Sequence, residues 1–385
     1  MRLVGRRYDN GQTVQIEMER GTLVACVPCD HPNSADLPWL APGFVDLQVN
    51  GFGGRNFTDP NLTTEAVESI STALRPFGIA RYLPTIITQS LAIQSHAVSI
   101  IAQAIDESAS VRQRVAGIHL EGPYISPVEG PRGAHPLSAC RPPDWDEFQR
   151  LQDAARGHIR LITLSPEYPE CPAFIQHAVD SGVLVSIGHT NANSEQIQAA
   201  VDAGARMSTH LGNGSHIHLH RHRNYVWDQL ADDRLTASLI ADGFHLPPAV
   251  LKSLIRAKQP ERIVLVSDIT GLAGLVGSEP GLYDTPGLGR VEVLSDGRPV
   301  VAGQRELLAG AIQPLHVGIA NVMRHGQVSL ADAIDMASAR PAQLLGLPCS
   351  PFTVGIPANL VGFRIPGTGS VTSLGLEIIR ECLLG

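Results

Sequence analysis

The sequence predicts an α/β fold: a (β/α)8 TIM-like barrel with β pieces at both chain ends. Eight short runs rich in β-branched and apolar residues recur between residues 43 and 268, and helix-like stretches separate most of them. A polar residue stands at the C-terminal end of most of these runs. Strand–helix alternation implies a parallel sheet, and eight strands over about 230 residues match a closed barrel in count and length. The rival, an open doubly wound sheet, carries a Gly-rich phosphate loop at its first strand-to-helix turn. GFGG (51–54) lacks that spacing, and no helix pattern starts at once after it.

Residues 13–27, TVQIEMERGTLVACV, alternate on either side of a Glu-Arg-Gly turn and read as a β-hairpin. The barrel strands are GFVDLQ (43–48), RYLPTI (81–86), VAGIHL (115–120), IRLITL (159–164), VLVSIG (183–188), RMSTH (206–210), TASLIAD (236–242) and RIVLVSD (262–268). Between them, stretches such as TTEAVESISTALRPFG, CPAFIQHAVDSG and SEQIQAAVDAG place apolar residues at i, i+3, i+4 and i+7, the stripe of a surface helix. Glycine closes several of them, as a helix C-cap does. ANLVGFRI (358–365) is strand-like again, beyond the last barrel pattern.

Composition narrows the function classes. With 43% hydrophobic and 17% charged residues, the chain is globular and not disordered. A net charge of -8 argues against nucleic-acid binding, which needs a broad basic field, but leaves room for a local basic pocket. No apolar run approaches the ~20 residues that cross a bilayer. Residues 1–21 lack the apolar core and cleavage site of a secretory leader. The cysteines at 26, 29, 140, 171, 349 and 382 are scattered, and Cys26 and Cys29 make a lone CxxC where a structural zinc site wants four ligands. The expectation is a cytoplasmic protein with free thiols, no membrane contact and no nucleic-acid partner.

Catalytic groups of a barrel sit at the C-terminal ends of its strands. The first run ends with Asp46, Gln48 and Asn50, and the third runs into His119 and Glu121. The fifth ends at His189, the sixth at His210, the seventh leads to Asp242 and His245, and the eighth stops at Asp268. Glu121, His189 and His210 form the nitrogen–nitrogen–oxygen set of a catalytic zinc-type site with a position left for water. One divalent ion there is expected, zinc first, with iron, cobalt or manganese accepted by the same donors. Such an ion lowers the pKa of its water toward ~7 and polarises a carbonyl. Asp268 is placed to take the water's proton and return it to a leaving group, and His245 to donate to the oxyanion. The chemistry is metal-assisted hydrolysis of an amide or related bond.

APGFVDLQVNGFGG (41–54), HLEGPYIS (119–126), RGAHP (132–136), SIGHTNAN (186–193), THLGN (209–213), ADGFH (241–245), LVSDIT (265–270) and LLAGA (307–311) follow one another here. In content and order they resemble the N-acetylglucosamine-6-phosphate deacetylases of the amidohydrolase superfamily. The resemblance covers roughly residues 40–365. It implies a barrel domain over 41–351 and a small β-sandwich domain from 1–40 plus 352–385. It implies hydrolysis of the acetamide of N-acetylglucosamine 6-phosphate to glucosamine 6-phosphate and acetate. Glu121, His189 and His210 match the metal ligands, Asp268 the catalytic acid/base, and His245 the residue holding the acetyl carbonyl. Asn213 and Gly214 match the loop contacting the sugar phosphate, His135 another substrate contact, and Leu308 the acetyl pocket. Arg221 matches a phosphate-binding arginine that reaches a neighbouring subunit's site in a homodimer.

The chain also departs from that pattern. Gln48 and Asn50 stand where many superfamily members carry His-x-His, as in the single-metal branch of the deacetylases. Family members usually read HLFNAM where this chain has HLGNGSH (210–216), and Arg-Glu-Pro-Gly where it has Arg221-His222-Arg223-Asn224. The alternative substrates are therefore another acylated hexosamine or the unphosphorylated sugar; a catalytically inactive sugar-phosphate binder is the reading from a different class. His216, His218, His220 and His222 alternate, which in an extended segment puts them on one face. They fit a solvated loop, a cationic rim for an anion, or a surface metal site.

Overall fold

The computed structural model describes residues 1–275, 279–349, 352–366 and 376–384. Eight parallel strands, Phe44–Val49, Ile79–Ile87, Ile118–Glu121, Ile159–Leu164, Leu184–Ile187, Met207–Ser208, Thr236–Ile240 and Ile263–Val266, pair in chain order. A parallel bridge between Val49, the end of the first strand, and Ile269, just past the last, joins the two. Asn50 N donates to Ile269 O (2.8 Å) and Asp268 N to Gln48 O (3.0 Å) at the same seam, so the barrel closes where the first and eighth strands carry their polar residues.

Helices cover the outside, and their starts follow side-chain chemistry. Thr63, Ser90, Asp144 and Asn193 each accept from a first-turn N–H of the helix that follows, satisfying donors the helix itself leaves orphaned. Asn193 and Gln196 complete a reciprocal capping box on Ser194–Asp202, the helix after His189.

The period of two along each strand sorts side chains into layers. Leu83, Leu161, Met207, Ile240 and Val264 belong to the apolar plug inside the barrel, whereas Tyr82, Ile162 and Leu239 join the core beneath the helices. Two residues beyond Leu83, Leu161, Met207 and Ile240, the interior turns polar at Thr85, Thr163, Thr209 and Asp242. His119 Nε2 meets Thr163 Oγ1 (2.8 Å), which meets Thr209 Oγ1 (2.7 Å), which meets Ser186 Oγ (2.6 Å). This hydroxyl layer lies between the plug and the mouth.

Both chain ends share one six-stranded sheet, ordered Glu377–Leu384, Asn359–Arg364, Trp39–Pro42, Arg2–Arg7, Thr13–Glu19 and Thr22–Pro28. The expected hairpin is its outer edge. Its two-residue turn holds Arg20 at φ 47 and Gly21 at φ 77, the positive pair that matches strand twist. Leu3, Val14, Ile16, Leu23, Leu40 and Leu360 form the sheet's own core. Of the C-terminal piece assigned to this unit, 367–375 and 385 lie outside the described residues, as do 276–278 and 350–351.

One element went unread in the sequence. Gly281–Thr285, Gly289–Val293, Pro299–Val301 and Gln304–Leu308 form an antiparallel four-stranded meander after the eighth barrel strand. Val291, Val293 and Ala309 pack with Leu272 as its core.

On the outer layer, Lys258 is fully buried at the end of helix Pro248–Lys258. Its amine donates to the carbonyls of Gln229 (2.9 Å), Leu230 (3.4 Å) and Asp232 (2.6 Å), closing the C-terminus of helix Tyr225–Ala231. Lys258→Met keeps the stem and leaves these carbonyls unpaired. It should cost about 1–3 kcal/mol of stability, read as a lower urea midpoint with metal content unchanged.

Candidate active site

Glu121 ends the third strand, and its Oε1 lies 3.2 Å from His189 Nε2 and 3.0 Å from His210 Nε2, with the two nitrogens 3.1 Å apart. All three residues are buried, and among the described residues theirs is the one cluster of His, Cys, Asp and Glu donors close enough to share an ion. His189 Nδ1 is 2.9 Å from Pro131 O. A carbonyl only accepts, so Nδ1 carries a proton, and Nε2 is the ring atom turned to the centre, free to give a lone pair to a cation once it has no proton of its own. Tetrahedral ligands at ~2.0–2.1 Å from zinc stand roughly 3.3 Å apart, close to the separations found. The donor set fits a divalent cation.

Burial alone pushes the Glu121 carboxyl upward, but hydrogen bonds from His189 and His210 and the charge of His189 hold the cation-free carboxyl well below the usual carboxylate range. Gln48 Nε2 donates to the same Oε1 at 2.8 Å. The first-strand amide thus fixes the orientation of the Glu121 carboxylate. Its neighbour Asn50 donates from Nδ2 to Asp268 Oδ1 at 2.7 Å. Asp268 is buried, and burial with the nearby negative charge of Glu121 raises its carboxyl to about 7.

His189, His210 and Asp268 have φ values of 50°, 30° and 53°. Backbone of this kind is rare away from glycine and concentrates at functional sites. Neighbouring glycines make room for it. A Cβ on Gly214 would stand 2.7 Å from His189 Nδ1, and one on Gly133 would stand 3.2 Å from His189 Cε1.

Glu121, His189, His210, Asp268, His245, His135, Asn213, Gly214 and Leu308 all border one cleft of about 710 Å³. His135 is deep in it. Its Nδ1 is 2.8 Å from Thr88 Oγ1, and its ring meets that of His189 edge-on at 4.3 Å. Burial, then the charge of His189, lowers its pKa to about 3, so it offers a substrate hydrogen bonds and no charge. His119 lies below the mouth against Thr163, and burial likewise lowers it to about 4.

Arg221 is the exception among the expected site residues. It is exposed on the histidine loop and does not border its own chain's cleft. His218, His220 and His222 are exposed there too, while His216 turns inward, its Nδ1 2.9 Å from Tyr225 Oη. The alternating histidines therefore do not share one face, because a turn bonded to His220 Nδ1 by the N–H groups of His222 and Arg223 folds the segment back.

Two contributions were not foreseen. The meander adds Leu288, Arg298, Val301 and Gln304 to the cleft wall beside Leu308. Its signal was present as an Asp-Gly turn, Asp296-Gly297, between apolar alternations. Asp242, a strand-end carboxylate, pairs with His245: its Oδ2 is 2.8 Å from His245 Nδ1.

A barrel with a carboxylate and two imidazoles converging at its C-terminal mouth, and a further carboxyl beside them, defines a hydrolase of the metal-assisted type. Residues 39–373 match the model of the Amidohydrolase family. An N-acetylglucosamine-6-phosphate deacetylase of Bacillus subtilis is 32% identical over 331 residues, 84% of this chain and 80% of that one. An N-acetylgalactosamine-6-phosphate deacetylase of Escherichia coli O157:H7 is 32% identical over 334 residues, 86% and 85% of the two chains. A solved structure of a mutant N-acetyl-D-glucosamine-6-phosphate deacetylase from Mycobacterium smegmatis, in complex with N-acetyl-D-glucosamine-6-phosphate, superposes with a TM-score of 0.84 at 26% identity over 100% of both chains. The chain belongs to the amidohydrolase family and, within it, to the N-acetylglucosamine-6-phosphate deacetylase family. Among the described residues no helix is long and apolar enough to cross a membrane.

Gly214→Ala tests how tightly this geometry is set. The added methyl drives against His189 Nδ1 on a backbone of φ +56. The purified variant should hold metal about 10–100-fold more weakly, by analogy with outer-shell changes at metal sites, measured by competition with a chelator.

Proposed function

We propose that the protein hydrolyses the acetamide of N-acetylglucosamine 6-phosphate, releasing acetate and glucosamine 6-phosphate. The observation that carries this is the cleft in which Asp268, its carboxyl raised to about 7, stands with the convergent Glu121, His189 and His210 donors. These three residues would hold one divalent cation, zinc by their donor types and spacing, and the ion when bound activates water and polarises a carbonyl. Asp268 accepts the proton of the attacking water on the carboxylate oxygen not engaged by Asn50, and later delivers it to the departing sugar amine. His245 donates to the acetyl oxygen as charge builds on it. Leu308 faces the acetyl methyl, and His135, Asn213 and the Gly214 backbone hold the sugar.

The phosphate falls to Arg221 of a second copy in a homodimer, since Arg221 does not border its own cleft. An arginine fork suits a phosphate and supplies charge that the neutral His135 lacks. The proposed location is the cytoplasm. A second reading, N-acetylgalactosamine 6-phosphate as substrate, is favoured by relatives of that name matching at the same 32% identity.

A panel of phosphorylated and free N-acetylhexosamines decides among these. The 6-phosphate of glucosamine origin should have the highest kcat/KM, exceeding the free sugar by about 10–150-fold, the worth of one charged hydrogen bond of about 1.5–3 kcal/mol. A better free sugar would remove Arg221 from the site, and a better galactosamine derivative would move the assignment to the second reading. Asp268→Asn should retain metal and lose about 10²–10⁴-fold in kcat. Because Asp268 must be ionised to take a proton, kcat/KM should fall on the acid side. That limb lies below the value of about 7 found without a cation, since a positive charge at the trio favours the carboxylate.

A further inference from the structure

Asp242 follows the seventh strand and is 8% exposed. Its Oδ1 accepts from the N–H groups of Phe244 (2.8 Å) and His245 (2.9 Å), while Oδ2 meets His245 Nδ1 at 2.8 Å. Burial pushes this carboxyl upward, but the hydrogen bond from His245 and the two backbone donors hold it below its ordinary value. It is therefore ionised and can only accept, so His245 Nδ1 carries a proton. The ring borders the cleft, and its Nε2 has no protein partner among the described residues.

A neutral imidazole with its proton on Nδ1 shows a bare lone pair at Nε2. A lone pair repels a carbonyl oxygen, whereas the deacylase activity proposed above needs a donor at that point. We propose that Asp242 is a positioning residue for the reaction, aiming His245 at the acetyl carbonyl and holding both protons on its ring, so that Nε2–H is offered by an imidazolium. A charged donor gains more than a neutral one as negative charge develops on the oxygen. Asp268 borders the same cleft as this ring. The two carboxylates thus flank one cation. His245 keeps its protons throughout, and Asp268 alone carries the water's proton to the amine. The role rests on the deacylase activity, and the measurements below separate the two.

The first readout is nitrogen NMR of ring-labelled histidine in the zinc-loaded protein at neutral pH, with His245→Gln assigning the signal. Both nitrogens of His245 should be protonated in the parent, and one should be bare in Asp242→Asn. A bare Nε2 in the parent overturns the proposal whatever the substrate. The second readout is kinetic. Asp242→Asn should lower kcat about 10²–10³-fold with KM within about threefold. The defect should shrink at least tenfold on the N-trifluoroacetyl analogue, whose carbonyl needs less electrophilic help. An equal defect on both acyl groups marks a merely structural role and overturns the proposal. If Asp242→Asn does not fold, the parent spectrum alone decides. Failure of the parent to cleave any N-acetylhexosamine phosphate would sink the deacylase activity and leave the protonation result standing.

Discussion

Backbone strain at the barrel mouth is the constraint around which this molecule is built. His189, His210 and Asp268 all hold positive φ, a conformation that costs of order 1–3 kcal/mol per non-glycine residue. Each must be held there by its surroundings. Pro131 O fixes the His189 ring, Ser238 Oγ accepts from the His210 backbone N–H at 2.7 Å, and the Asp268 N–H is tied to Gln48 O across the barrel seam. In return, each side chain leaves the strand direction and turns across the mouth, which an extended backbone would not allow. Barrel closure and site geometry are therefore one event.

The layer below the mouth serves the same end. Most barrel interiors are filled with branched apolar side chains, and here Leu83, Leu161 and Val264 fill the lower half in that way. Above them Thr163, Thr209 and Ser186 form a chain of hydroxyl contacts with His119. Buried hydroxyls with partners on both sides set rotamers more sharply than apolar contacts do. The site thus rests on a floor that resists small rotations, and sub-ångström placement is what catalysis by positioned groups requires.

Much of this could be read in the residues alone, for identifiable reasons. Strands such as Ile159–Leu164 and Ile263–Val266 are covered on both faces, so they read as apolar runs. Against that background Glu121, His189, His210 and Asp268 stood out as polar residues sharing one end. The meander escaped because exposed edge strands holding Gly and Pro have the composition of a loop. The bond between Asp242 and His245 depends on a turn whose two backbone N–H groups seat the carboxylate, and spacing alone does not reveal that. Arg221 marks another limit: it stands exposed on a loop away from its own cleft, and the contacts of one chain give it no role there.

The sheet built from both chain ends has a consequence for synthesis. Trp39–Pro42 lies between Arg2–Arg7 and Asn359–Arg364, so its last partner is made more than three hundred residues later. At translation rates of about 5–20 residues per second, that edge waits roughly 15–60 seconds for its neighbour. An unpaired strand edge is a template for unwanted pairing in that interval. The parallel pairing with Arg2–Arg7 covers its other side early, and the outer hairpin shields Arg2–Arg7 in turn. On the ribosome, then, the first forty residues can form a provisional half-sheet that the emerging C-terminus completes.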